Sequence, residues 1–182
     1  MIRSFDLLFS IILLLVFSPL FILIYILGLL DTGSPIFFQK RMGKNLKPFT
    51  LIKFRTMYIN SVDMPTHFIN KNSVTPIGGF LRKSKLDEFP QLINVILGNM
   101  SLVGPRPNLL NQEELIKHRS KLGVYNVKPG ITGLAQISQI DMSTPELLSL
   151  TDAKMIESMS IKTYLNIIFL TALGRGNGDR II

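Results

Sequence analysis

The chain contains no cysteine, only two histidines, and 12 acidic side chains against 20 basic ones. Without cysteine there are no disulfide staples and no thiolate-held zinc, which fits a reducing compartment. With His67 and His118 as the sole imidazoles, a histidine-rich metal site is excluded. Any bound metal is therefore expected to be a hard cation held by oxygen. The shortage of acids leaves a net charge of +8, yet mean hydropathy is +0.34. A chain both basic and apolar points to a membrane surface, an anionic lipid or a phosphorylated ligand, with nucleic acid as the competing reading. At 182 residues it is one domain, or one domain plus an anchor. It carries no internal repeat and no low-complexity tract.

Charge is also missing from residues 7–30, LLFSIILLLVFSPLFILIYILGLL. A straight helix over this run would reach about 36 Å, enough to cross a bilayer. The run is too long for a cleaved signal peptide, and no small-x-small site follows it. Nothing in it is polar enough to face water as a soluble helix would. Ser18–Pro19 interrupts it, and the proline ring collides with the Leu15 carbonyl, so a kink is expected there. The Ser18 hydroxyl can satisfy part of the freed backbone. Arg3 lies before the run; Lys40, Arg41, Lys44 and Lys47 lie after it. The positive-inside tendency would keep both ends on the cytoplasmic face, which suits a broken helix that enters and leaves one leaflet. A plain spanning helix with a tolerated proline stands beside that reading on physics alone.

The densest chemistry lies in Leu81–Pro107, LRKSKLDEFPQLINVILGNMSLVGPRP. Asp87 and Glu88 sit among Arg82, Lys83 and Lys85, and Arg106 is clamped between Pro105 and Pro107. Leu86, Phe89, Leu92, Ile93, Ile96 and Leu97 recur at helical spacing, predicting an amphipathic helix that ends at Gly98. Upstream, Pro35–Gln39 and Pro48–Met57 read as a β-hairpin joined by Lys40–Lys47. Lys53 and Arg55 are spaced to leave one face of its second strand, a solvated face or a feed to the acids. Residues 58–76, with His67, read as a surface loop, and residues 111–122 as a short polar helix exposing His118. Lys128–Gln136, KPGITGLAQ, reads as a glycine-punctuated loop whose N–H groups could approach a ligand. Ile161, Tyr164, Leu165, Ile168 and Ala172 form a helical stripe, and residues 174–182 read as a disordered tail.

Adjacent carboxylates on a helix diverge by about 100°, so Asp87 and Glu88 do not face each other across a sugar ring as a glycosidase pair does. They can share Mg²⁺, or one can act as nucleophile while the other holds metal or moves a proton. Attack on a pyrophosphate needs an ionised carboxylate and neutralised phosphate charge, which Mg²⁺, Lys53, Arg82 and Arg106 would supply. The competing structural reading takes Ser84–Asp87 as a helix-capping box. Arg106 is the stronger sign, because prolines on both sides fix its backbone.

These residues resemble the bacterial sugar transferases, or monotopic phosphoglycosyl transferases. The carrying motifs are FTLIKFRTM (49–57), GFLRKSKLDEFPQL (79–92), NxxxGxMSLVGPRP (94–107) and KPGITGLAQ (128–136), in family order. The resemblance implies transfer of a phosphosugar from a UDP-sugar to undecaprenyl phosphate, with release of UMP and a need for Mg²⁺. It implies a covalent phosphosugar on Asp87 with Glu88 as acidic partner, both near the metal. It implies phosphate-binding roles for Lys53, Arg82 and Arg106, and a re-entrant helix broken at Ser18–Pro19. The expected fold is a small α+β monotopic protein: a re-entrant membrane helix over residues 1–31 and a cytoplasmic catalytic domain over 32–173. That domain would hold the hairpin and several short amphipathic helices, against the cytoplasmic face of a bacterial inner membrane. Gly79, Lys85 and Phe89 depart from the family's usual residues, as does Ser138–Ile140, which replaces a glycine-arginine after the glutamine. UDP-sugar, undecaprenyl phosphate and membrane lipid are the expected partners, without nucleic acid. The sequence fixes neither the sugar nor the oligomeric state, a homodimer included. The alternative is a non-catalytic, membrane-anchored protein binding anionic lipid or nucleic acid, which leaves the acids inside the basic cluster unexplained.

Overall fold

A computed structural model describes residues 2–59 and 73–176. The expected loop with His67 falls mostly on residues 60–72 and the expected tail mostly on 177–182, and those parts lie outside the described residues; Val74 makes a bridge and Pro76 already opens a helix. The uncharged run folds as two helices, α1 (Ile2–Val16) and α2 (Ser18–Thr32), bent by 65°. The break falls where the proline requires it, and Ser18 Oγ donates to the Leu15 carbonyl at 2.8 Å. No single described helix is long and apolar enough to cross a membrane, but the bent pair meets that test by length and composition.

The pair is polar side in. Asp6 and Ser10 are buried against the domain, while Leu15 and Leu30 are 69% and 80% exposed. Asp6 Oδ1 accepts from Ser101 Oγ, the Leu102 N–H and Tyr164 OH at 2.7–2.9 Å. Both ends of the pair attach to one domain. Arg3 donates to the Val95 and Ile96 carbonyls, and α2 runs through Gly33 into the hairpin.

The hairpin pairs β1 (Ile36–Met42) with β2 (Pro48–Phe54), antiparallel, Phe37 opposite Lys53. The first strand is longer than its apolar residues suggest, because Lys40 and Arg41 pair with Thr50 and Phe49. The second strand is shorter; Met57 makes only an isolated bridge to Val74. Then come α3 (Pro76–Ser84), a 3₁₀ turn at Leu86–Glu88, α4 (Gln91–Ile96) and β3 (Ser101–Val103). The helix expected over residues 86–97 is thus divided at Pro90. Its buried side carries Gln91, Leu92, Asn94 and Val95, while Leu97 is exposed. A helix this short follows its neighbours more than its periodicity, and Asn94 is buried because it glues α4 to the β2 edge. Its amide donates to the Thr50 carbonyl at 2.8 Å and accepts the Ile52 N–H at 3.0 Å.

The polar helix α5 (Glu113–Lys121) appears as expected, with His118 half-buried rather than exposed. The glycine-punctuated stretch is not a loop: it forms β4 (Gly130–Thr132), parallel to β3, then α6 (Leu134–Ile137). Its first glycine serves packing, since a Cβ on Gly130 would fall 2.0 Å from the Gly104 nitrogen. The last helices are α7 (Pro145–Glu157) and α8 (Ile161–Ala172); of the expected stripe Tyr164 is buried and Ile168 packs on the core, Leu165 and Ala172 are exposed, and Ile167 joins the inward face. The described residues thus hold eight α-helices and two two-stranded sheets, an α+β fold. The main core lies between α1, β2, α4, β3, α7 and α8, around Val95, Met100 and Tyr164.

Candidate active site

The acidic pair sits on the 3₁₀ turn, not on an α-helix. Ser84 is no N-cap: its hydroxyl donates back to the Phe80 and Leu81 carbonyls, and Lys85 ends α3 at φ +60°. That left-handed residue reverses the chain and carries Asp87 inward, where it is 4% exposed. Glu88 Oε1 accepts from Arg106 Nη2 at 3.0 Å and from Lys53 Nζ at 3.4 Å. Its Oε2 has no donor among the described residues. Lys53 reaches Glu88 from buried β2, but Arg55 does not follow: its guanidinium donates to the Ser34 carbonyl and lies over the Phe37 ring.

Arg82, on the last turn of α3, donates from Nε to Thr56 Oγ1 at 2.8 Å. Its Nη1 is buried with no acceptor among the described residues. A buried guanidinium N–H without an acceptor is costly, and one beside an acidic turn suits an anionic oxygen. α3 is held by its own caps: Thr75 Oγ1 accepts the Gly78 N–H at 2.9 Å, and Pro76 opens the helix. The break between α1 and α2 lies close by, with the Phe17 ring edge-on to Phe89 at 5.3 Å between centroids.

Arg106 is held from behind by a network that the sequence reading missed. Arg119, 1% exposed, donates from Nη1 to the Arg106 carbonyl at 2.8 Å and to Asn108 Oδ1 at 3.1 Å. Its Nη2 pairs with Asp152 Oδ2 at 2.6 Å, and Tyr125 OH also donates to Asn108 Oδ1. Burial pushes the Asp152 carboxyl above its usual range, and the Arg119 charge pulls it back. Burial likewise raises Tyr125, again opposed by Arg119. Removing one partner strands a buried charge, so Arg119→Met is expected to lower stability by about 3–5 kcal/mol. Denaturant titration checks this; Arg119→Met with Asp152→Leu should recover most of the loss.

The family model described as bacterial sugar transferase matches residues 1–175, nearly the whole chain. The chain belongs to the bacterial sugar transferases. The chain is 36% identical over 198 residues to the exopolysaccharide production protein ExoY of Sinorhizobium fredii, covering 96% of this chain and 87% of that protein. It is 36% identical over 181 residues to the Escherichia coli UDP-glucose:undecaprenyl-phosphate glucose-1-phosphate transferase, covering 93% of this chain and 39% of that one. It is 34% identical over 191 residues to the Salmonella typhimurium undecaprenyl-phosphate galactose phosphotransferase, again 93% of this chain and 39% of the relative. The chain thus spans well under half the length of these last two relatives.

Among the described residues, no three His, Cys, Asp or Glu side chains gather as a metal cage. Two adjacent carboxylates, one with an undonated oxygen, still suit Mg²⁺, which is commonly held by one or two carboxylates with phosphates and water. Asp87 and Glu88 are the residues that would hold it.

Proposed function

We propose that this chain transfers a phosphosugar from a UDP-sugar to undecaprenyl phosphate, releasing UMP, through a covalent intermediate on Asp87. The observation that carries the reading is the Glu88 carboxylate held between Lys53 and Arg106, beside buried Asp87, with Arg82 Nη1 buried on the helix before it and without an acceptor among the described residues. Acids embedded in cations suit nucleophilic attack on a pyrophosphate better than simple anion binding.

In the first step an Asp87 carboxylate oxygen attacks the sugar-bearing phosphorus, and the bond from that phosphorus to the UMP oxygen breaks. In the second, a phosphate oxygen of undecaprenyl phosphate attacks the same phosphorus, and the Asp87 carboxylate leaves as it began. Arg82 and Arg106 neutralise the phosphate oxygens during both steps. Lys53 and Arg106 also orient Glu88. Mg²⁺, when bound, supplies further charge neutralisation at the pyrophosphate.

The bent helix is read as re-entrant in the cytoplasmic leaflet of a bacterial inner membrane. A straight helix over residues 2–32 would part its ends by roughly 45 Å. Instead both ends attach to one domain, and apolar side chains face away from it. These features support an apolar surrounding entered and left on one side. The Phe17–Phe89 contact brings the break against the acidic turn, where a lipid-borne phosphate can arrive. The reading is tested by UMP release in nanodiscs with undecaprenyl phosphate, Mg²⁺ and a panel of UDP-sugars. Release with at least one donor, stopped by EDTA, is expected; no release with any donor contradicts the reading.

A further inference from the structure

A cavity of about 330 Å³ lies beneath the start of α1, and none of Lys53, Arg82, Asp87, Glu88 or Arg106 lines it. Its polar wall is Arg3, Asp6, Lys44 and Lys128, and its apolar wall includes Met155 and Met159. Asp6, its one acid, already accepts three hydrogen bonds on Oδ1. Arg3 is engaged with the two carbonyls that end α4. The side-chain ammonium groups of Lys44 and Lys128 have no hydrogen-bond or ion-pair partner among the described residues.

The cations are close together. A methyl group placed on Gly98 would lie 3.6 Å from Lys128 Nζ and 3.7 Å from Arg3 Nη2. Burial, and then the Arg3 charge, push the Lys128 ammonium below its usual range; Asp6 opposes this and Lys44 adds to it. Three positive groups stand against one committed carboxylate, Arg3 and Lys128 half-buried and Lys44 exposed at the rim, and an anion would relieve their repulsion. Of the three cations only Arg3 donates to the helix-end carbonyls, so hydrogen-bonded capping of α4 does not account for Lys44 or Lys128.

We propose that this cavity is a second anion site, which takes a phosphate group through Lys44 and Lys128 with Arg3 behind them. The phosphate can come from an anionic lipid headgroup or from solution, and the apolar wall accommodates the carbon skeleton next to it. The site goes beyond the transfer reaction and does not depend on it.

The test uses the full chain in nanodiscs of phosphatidylcholine, with or without phosphatidylglycerol, and with or without inorganic phosphate. The rate of acylation by a lysine-reactive ester is followed at Lys44 and Lys128 by peptide mass spectrometry, with exposed Lys117 and Lys154 as internal references. Near-saturating anion should slow Lys44 and Lys128 about tenfold relative to the references. Protection only with phosphatidylglycerol identifies a lipid headgroup; protection by inorganic phosphate in neutral discs identifies a soluble anion. Lys44→Gln should then remove most of the protection at Lys128. Unchanged rates under all conditions overturn the site, as does protection at Lys128 that Lys44→Gln leaves intact, which would be general surface screening.

Discussion

Asp87→Asn is expected to lower the steady rate of UMP release by on the order of 10⁴-fold or more, because it removes the attacking group itself. The change keeps the volume of a side chain that is 4% exposed, so the fold should persist and a melting curve should stay close to the parent's. An amide cannot open a pyrophosphate, and Glu88, the other acid of the turn, is held in its own ion pairs with Lys53 and Arg106. Glu88→Gln would separate the two acids. It would leave the nucleophile in place while removing the counter-charge that Lys53 and Arg106 meet. A steady rate in Asp87→Asn within tenfold of the parent would exclude Asp87 as nucleophile.

Arg106→Gln is expected to lower kcat by roughly 10²–10³-fold, the usual effect of removing one donor to a developing oxyanion. KM should change less, since the phosphate charge that Arg106 meets grows as the leaving UMP separates. Arg106→Lys should recover little, because one ammonium does not reproduce a guanidinium that reaches Glu88 and a phosphate oxygen together. The measurement is a full kinetic profile with donor and acceptor each varied. A variant within threefold of the parent would mean that Arg106 only shapes its loop. Arg119→Met offers the contrast, as it acts on the Arg106 carbonyl and should lower stability before it lowers kcat.

The parts of this chain written in local chemistry were legible in its sequence. The break at Ser18–Pro19 follows from one missing N–H and one ring clash, and the Ser18 hydroxyl takes the Leu15 carbonyl as those groups require. The hairpin followed from apolar runs and turn residues, and its face pattern brought Lys53 to Glu88. Arg55, two residues on, did not follow, because the strand ends at Phe54 and alternation ends with it. The helix expected through Asp87 failed for a related reason. Periodicity carries no record of Lys85 adopting φ +60°, which ends α3 and places the acids on a tighter turn. The Arg119–Asp152 tie had a signal that went unused. Arg119 lies four residues after buried Leu115, and Asp152 lies between Leu148 and Met155 on the inward face of α7. A charge in the apolar stripe of each of two packed helices points to a buried pair.

The central claim is a covalent phosphosugar on Asp87, and intact-mass spectrometry tests it most directly. The protein would be incubated with Mg²⁺ and the UDP-sugar that supports turnover, without undecaprenyl phosphate, and quenched in acid. A mass increase of one phosphosugar is expected, mapping to the peptide with Asp87, absent from Asp87→Asn and discharged by undecaprenyl phosphate. Full turnover with no adduct at any quench time, and none trapped when the acceptor is withheld, would contradict the two-step account and favour direct transfer between the two substrates.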